Sequence, residues 1–335
     1  MNERPAGRTP PEADRASSDH PLSQLREEAL GIADAVDRAL DAALPRTVPG
    51  PPGPVYTLAR GSSLHAATVV HRFMGSAGVP ASTMALGLVQ PALRLQGATL
   101  LAISQSGASP DLCSAVSTCV VGNATVIALV NLPDSRLESL ASVTVHQRAG
   151  SEVAVAATKS VICSIVAGAR LAEHWGAPPF GLDTLAADIR TVQGDGWSTE
   201  LVAFLARNGP LLVIGRGTGH GIACEIALKC QELLGRAAAA YSSAEVLHGP
   251  AGVVSEGFAV LAIAVGPERE SVRECAARLV TFGADVLLLD EAPRTDDLAS
   301  TVVLAGLYPA LEAAARALGR SPDSPPNLSK VTLTE

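Results

Sequence analysis

The sequence predicts an α/β protein in which one doubly wound, parallel-sheet domain is used twice in tandem. Three observations predict it. At 335 residues the chain exceeds the usual size of a single domain. Short apolar runs alternate with helix-period segments along most of its length, the pattern of a parallel sheet with both faces covered. The order of those segments in the first half then recurs in the second. Composition agrees: 47% of residues are hydrophobic and only 3% aromatic, so the core has to be built from Ala, Val and Leu rather than rings.

Residues 1–20 are polar, Pro-bearing and without periodicity, and are expected to form a disordered tail. From Pro21 to about Leu44 the residues Leu22, Leu25, Ala29, Ile32, Ala33, Val36 and Leu40 recur at three- and four-residue spacing, which predicts one amphipathic helix. The Pro- and Gly-rich stretch that follows ends it. The strands then read as VYTLA from Val55, ATLLAIS from Ala98 and TVIALVN from Thr125, with helices from about Leu64 and Pro110 between them and a long helical segment after Val155. The second half repeats this with LLVIG from Leu211, FAVLAIA from Phe258 and DVLLLD from Asp285, with helices from about His220 and Glu270. Domains are expected at 21–192, including the N-terminal helix, and at 193–335.

Offsets test the repeat. Gly97 matches Gly257 and Ala124 matches Ala284, both 160 apart, while Arg60-Gly61-Ser62 matches Arg216-Gly217-Thr218 at 156. The copies diverge at one informative place. Ser104, Gln105, Ser106 and Gly107 correspond to Ala264, Val265, Gly266 and Pro267, so only the first copy has polar groups there. An isolated Ser-rich string is ordinarily a turn with a helix cap. This one lies where a parallel strand runs out into a helix start, the place at which open α/β sheets bind ligands, beside a second such turn at Arg60–Ser63. Hydroxyls and free N–H groups at a helix N-terminus suit an anion. With no cluster of Arg or Lys, the anion is a small dianion such as a phosphate.

Other classes are excluded as expectations. A net charge of −8 without a basic block argues against nucleic acid. No stretch approaches the roughly 18 apolar residues of a membrane span, and no leader is evident. Cys113, Cys119, Cys163, Cys224, Cys230 and Cys275 contain no CxxC pair, so neither a metal site nor a disulfide framework is indicated. A cytoplasmic protein is expected.

Glu225, Lys229 and Glu232 follow one another at spacings of four and three and so share a helix face. On a typical helix this is a surface ion-pair ladder, but here Ile226, Ala227, Leu228, Leu233 and Leu234 leave little of the helix to face water. His248 precedes a Gly-Pro turn, and Lys330 lies near the C-terminus.

Five segments, ARGSS from Ala59, AISQSGASPD from Ala102, GSEVAVAATKS from Gly150, GRGTGHGIACEIALKCQE from Gly215 and AEVLHGP from Ala244, resemble in this order the sugar isomerase (SIS) domain family, over nearly all of residues 55–335. The nearest builds are those of stand-alone glucosamine-6-phosphate deaminases and of the isomerase half of glutamine-dependent fructose-6-phosphate aminotransferase. The resemblance implies two flavodoxin-like SIS domains. It places Ser63, Ser104, Gln105, Ser106 and Ser109 around a sugar phosphate, with Val155, Ala157 and Thr158 beside them. Ala157 stands where the family has Ser, so one hydroxyl is missing. It makes Glu232 the base that moves a proton between the first two sugar carbons, near Lys229. It makes His248 the ring-opening group, reaching the site of a partner subunit in a homodimer. The closing segment from Asp323 matches the family through Lys330, which the resemblance sets near the sugar carbonyl. Arg216 is a further substrate-binding candidate by motif.

These groups supply every proton transfer, so no metal or organic cofactor is expected. The family's N-terminal pattern Met-x-x-Glu-Ile-x-x-Gln-Pro is poorly matched here. No glutaminase segment with an N-terminal Cys is present in the sequence, so the expected reaction is conversion of glucosamine-6-phosphate, or a related amino-sugar phosphate, to a ketose phosphate and ammonia. Alternatives are plain isomerisation, a fructosamine-6-phosphate deglycase, and a non-catalytic sugar-phosphate sensor.

Overall fold

The computed structural model describes residues 22–50, 53–193 and 198–330, so the expected tail at 1–20 lies outside the described residues. The first sheet contains β1 (Val55–Leu58), β2 (Ala81–Thr83), β3 (Thr99–Ser104), β4 (Thr125–Val130) and β5 (Val143–His146). The second contains β6 (Leu211–Gly215), β7 (Ala238–Ser242), β8 (Ala259–Ile263) and β9 (Asp285–Leu289). Every pairing is parallel, in the orders β2-β1-β3-β4-β5 and β7-β6-β8-β9. Both follow the doubly wound rule, with the switch point between β1 and β3 in the first sheet and between β6 and β8 in the second.

The central strands β3, β6 and β8 are buried at every residue, which is why they read as unbroken apolar runs. Register confirms the repeat. Val55 opposes Thr99 and Thr99 opposes Thr125 in the first sheet; Leu211 opposes Ala259 and Ala259 opposes Asp285 in the second. The corresponding residues are 156 (211 minus 55), 160 (259 minus 99) and 160 (285 minus 125) apart, the same offsets as in the sequence. Insertions have entered the connections and left the pairing untouched. The second sheet differs in stopping at four strands, so the outer edge of β9 has no strand partner among the described residues.

Two helices replace the single N-terminal helix expected over Pro21–Leu44: α1 (Gln24–Leu30) and α2 (Ile32–Asp41). Ser23 caps α1 by accepting from the Arg26 N–H, and Gly31 separates the helices. The apolar spacing survives the break because Leu25, Ala29, Ile32 and Val36 all remain buried, while a glycine with no side chain to stabilise the helical backbone is where the chain bends.

Between the sheets runs a layer of helices. α3 (Gly61–Ser76) packs on α6 (Lys159–His174) and on α9 (Thr218–Leu234), which packs in turn on α11 (Ala299–Ala317). α11 also touches α1, α7 (Leu185–Val192) and α8 (Thr199–Leu205). α4 (Pro110–Val121), α5 (Arg136–Leu140) and α10 (Arg269–Thr281) cover the outer faces. α3 and α9 meet closely because Gly221 faces them: a Cβ there would lie 2.8 Å from a Val69 methyl and 2.9 Å from the His65 carbonyl oxygen. Leu101 and Ile103 of β3, Val70 of α3, Ile226 of α9, Val213 of β6 and Leu261 of β8 belong to one continuous apolar cluster.

Candidate active site

Where β3 ends, the chain turns through Ser104–Ser109 into α4. Ser104 Oγ accepts from the Gly107 N–H at 3.0 Å and Ser106 Oγ from the Ala108 N–H at 3.3 Å. Each hydroxyl keeps its own proton to donate. Gly107 sits at φ +60, and a Cβ there would meet Ser135 Oγ at 2.3 Å, so the turn requires glycine on both counts. Pro110 at the first position of α4 has no N–H to leave unpaired.

This turn forms one wall of a cavity of about 700 Å³. The first turn of α3 contributes Ser62 and Ser63, the turn after β3 contributes Ser104, Gln105, Ser106 and Ser109, and the segment before α6 contributes Val155, Ala157 and Ser160. α9 adds Glu232, and the C-terminal segment adds Lys330. Charge in the lining comes from Arg60, Asp111, Glu232 and Lys330. A slightly larger hollow, about 770 Å³, lies beside the open edge of β9, lined by Leu287, Leu289 and Val303 with Glu200, Asp290 and Glu291. Its charges are acidic and it has no turn of hydroxyls, so chemistry and not size selects the first cavity as the site.

Behind the wall, Lys229 is fully buried. Its Nζ donates to Glu232 Oε2 at 2.6 Å and to Ser62 Oγ at 3.0 Å, and lies 3.2 Å from Glu225 Oε1. All three ammonium protons therefore have acceptors. Glu225, also fully buried, takes His65 Nδ1 at 2.9 Å on its other oxygen and the Tyr308 hydroxyl at 3.4 Å on Oε1. Burial raises the Glu225 carboxyl, but Lys229 and His65 outweigh it and hold the group below the usual carboxylate range. Burial also opposes the charge on Lys229, but Glu225 and Glu232 outweigh it and hold the amine above the usual lysine range. Both groups thus stay charged in an apolar layer, and together they fix Glu232, whose side chain is 20% exposed, at the cavity.

Lys330 Nζ donates to the Ala154 carbonyl at 2.7 Å and to Glu152 Oε2 at 3.3 Å. Glu152 is buried; its Oε1 accepts from the Thr158 and Ser160 N–H groups and its Oε2 from the Ser160 hydroxyl at 2.6 Å. Burial raises this carboxyl, and the pull of Lys330 with the bonds from Ser160 and Thr158 more than reverses it. Beside it Glu28 of α1 accepts from the Val153 and Ala154 N–H groups and is raised by burial, with Glu152 adding to the effect.

The structure therefore brings Ser63, Ser104, Gln105, Ser106, Ser109, Val155, Ala157, Glu232 and Lys330 to one cavity, with Lys229 one layer behind. Three expected residues stand elsewhere in this chain. Thr158 is buried and its backbone N–H serves Glu152. Arg216, at the end of β6, lies 3.6 Å from Glu268 and donates to Ser271 Oγ at 3.1 Å. His248 is exposed in the short turn Val246–His248. Sequence reasoning missed Ser62, Arg60, Asp111 and Glu152. Ser62 and Asp111 sit within two residues of Ser63 and Ser109, Arg60 opens the turn that ends at Ser63, and Glu152 lies inside a quoted segment, so nearness to a motif was the available signal.

Comparison with known proteins adds three findings. The profile of the SIS domain family matches residues 52–173 and 204–296. Among curated proteins, the isomerizing glutamine–fructose-6-phosphate aminotransferase of Aeropyrum pernix is 30% identical over 305 residues, which takes in 84% of this chain and 49% of that protein. The same enzyme of Methanothermobacter thermautotrophicus is 30% identical over 308 residues, 83% of this chain and 51% of that one. The chain spans about half the length of the curated relatives it matches. Among solved structures, a protein of Silicibacter pomeroyi provisionally named a phosphosugar isomerase superposes with a TM-score of 0.78 at 30% identity, over 90% of this chain and 100% of that one. A glucosamine-6-phosphate deaminase of Thermotoga maritima superposes with a TM-score of 0.76 over 93% of this chain and 100% of that one, at 20% identity, a likeness of fold.

Proposed function

The chain belongs to the SIS domain family, and from that premise we propose that it isomerises a phosphorylated amino sugar and releases ammonia, with glucosamine-6-phosphate or a close relative as substrate. One observation carries this reading: the Glu232 carboxylate faces the same cavity as the hydroxyl turn Ser104–Ser109, so an anion held at one end leaves a sugar carbon in reach of an acid–base group at the other. Ser63, Ser104, Gln105, Ser106 and Ser109 hold the phosphate. His248, contributed by a second copy of the chain, opens the ring by moving a proton from the first hydroxyl to the ring oxygen.

In the open-chain imine tautomerisation that follows, Glu232 takes the proton from the second carbon and returns it to the first, while Lys229 keeps the carboxylate aimed. The aldehyde becomes an alcohol and the amine-bearing carbon an imine; water adds to that imine and ammonia leaves, giving the ketose phosphate. Lys330, held by Glu152 and the Ala154 carbonyl, supplies positive charge near the carbonyl oxygen. Ala157 puts a methyl at the cavity wall, which favours a substrate making no hydroxyl contact there.

The test is turnover of a panel of phosphorylated amino sugars by the purified protein, reading ammonia and ketose phosphate together. Both products in equal amounts support deamination. Ketose phosphate without ammonia points to plain isomerisation, and binding without either product points to a sensor. Glu232→Gln is expected to lower kcat by at least about a hundredfold, the usual size of a general-base contribution, with phosphate affinity nearly unchanged. An active Glu232→Gln protein removes the assignment of the base.

A further inference from the structure

Asp111 is in the first turn of α4, two residues beyond Ser109, and its side chain is only 12% exposed at the cavity wall. Its Oδ1 accepts from the Leu112 N–H at 2.7 Å, which fixes the carboxylate where it is. A dianion on the Ser104–Ser109 turn would have this carboxylate as a neighbour, and like charges in a partly closed cavity repel strongly. Its Oδ2 is met by Arg60, which comes from the first sheet's other switch-point turn, at the N-cap of α3, and also lines the cavity. Of the other cations, Lys330 is held by Glu152 and the Ala154 carbonyl, and Lys229 is buried with three acceptors of its own.

We propose that Arg60 is a phosphate-binding residue: it neutralises Asp111 in the free protein and turns the second edge of its guanidinium to the phosphate when that arrives. A planar fork can serve two anions at once, which an ammonium does less well. The pair is half exposed on the arginine side, 53%, and pairs of that kind contribute little to stability, so a staple between α3 and α4 is a weak reason for it. The second copy supports the distinction. Arg216 occupies the corresponding strand end and has its own carboxylate neighbour, Glu268 at 3.6 Å, but the residue matching Asp111 at the offset of 160 is Ser271, and the turn matching Ser104–Gln105 is the buried Ala264–Val265. Only in the first copy does a carboxylate in the first turn of the helix stand beside a turn of hydroxyls. The inference rests on the reading that this cavity takes a phosphorylated ligand, and specifies how its charge is balanced.

Inorganic phosphate is the probe, with the full chain titrated by calorimetry. Arg60→Gln is expected to weaken phosphate binding by about tenfold or more, the worth of one charge-assisted hydrogen bond, and Arg60→Lys to retain part of it. Asp111→Asn is expected to tighten binding severalfold, and adding it to Arg60→Gln to recover most of the loss. In turnover, Arg60→Gln raises KM with kcat little changed. Circular dichroism establishes that each variant is folded; if Arg60→Gln is not, Arg60→Lys and Asp111→Asn carry the test. Phosphate affinity unmoved by Arg60→Gln, or by both of the other single changes, overturns the proposal, as does a double variant no better than Arg60→Gln alone. Phosphate binding that follows the expected pattern in a protein without turnover overturns the isomerase reading and leaves Arg60 in place; turnover with phosphate affinity indifferent to Arg60 does the reverse.

Discussion

At the scale of single residues, Lys229 decides the charge balance of the site. It has three acceptors, on α9 itself and on α3, and two of them are carboxylates that would otherwise repel each other across the cavity wall. Lys229→Met removes the charge and keeps much of the volume, so it leaves the buried Glu225 carboxylate with only the His65 ring and the Tyr308 hydroxyl as partners. The expected cost at neutral pH is about 3–5 kcal/mol, read by urea denaturation. The dependence on pH has a definite sign. Glu225 and Glu152 are held below the usual carboxylate range, so the stability they contribute is present above that range and is lost as pH falls from it through their lowered folded values.

In Lys229→Met burial acts on Glu225 with less opposition, the carboxyl takes up its proton more readily when folded, and the penalty shrinks on acidification. The two stability curves should therefore converge towards low pH; curves that stay parallel would show that Glu225 was not the group left stranded. The serine turn was legible from its place where a strand runs into a helix and Glu232 from its spacing to Glu225 and Lys229, whereas Lys330 was picked out only by the resemblance of the closing segment to the family. Arg60, Asp111 and Glu152 were not, because what they do depends on neighbours 51, 51 and 178 positions away (111 minus 60; 330 minus 152).

Among the elements, the central strands and the helices after them were legible because burial on two faces writes an apolar run and burial on one face writes a period. Of the edge strands, β9 was legible as an apolar run, but β2 and β7 were not. β2 is Ala-Ser-Thr and β7 is Ala-Ala-Ala-Tyr-Ser, half exposed and made of small residues, so neither signal is present. α11 escaped for the opposite reason. It is buried on nearly all sides, leaving no polar face to set a period, and it contains Pro309, which reads as a break. The contact of α3 with α9 yields a prediction at this scale, since it sets the distance from Ser62 to Lys229 and from the serine turn to Glu232. Gly221→Ala forces the helices apart against Val69 and the His65 carbonyl, and is expected to cost about 1–3 kcal/mol in a denaturant titration. Turnover should fall further than phosphate affinity, because α9 carries the proposed base but not the proposed phosphate turn. An unchanged stability would mean that the helices are less closely packed than described.

For the molecule as a whole, the repeat gave two sheets of one design, and the register offsets show how faithfully the design was copied. The halves nevertheless share one apolar cluster, from β3 through α3 and α9 to β6 and β8. Scanning calorimetry is expected to show a single unfolding transition with equal calorimetric and van't Hoff enthalpies, and two separated transitions would contradict a shared core. Among the described residues no helix is long and apolar enough to cross a membrane.

The copying stopped short in one respect, at the margin where β9 has no fifth strand beyond it among the described residues. A row of peptide groups facing water is adhesive, a place where crowded copies could stitch themselves together. Asp285 at one end of that row is met by Arg207, and Asp290 just past the other by Arg273. Charge stands guard at both ends of the seam, so a neighbour that tried to continue the sheet would have to strip solvent from two ion pairs before gaining its first bond.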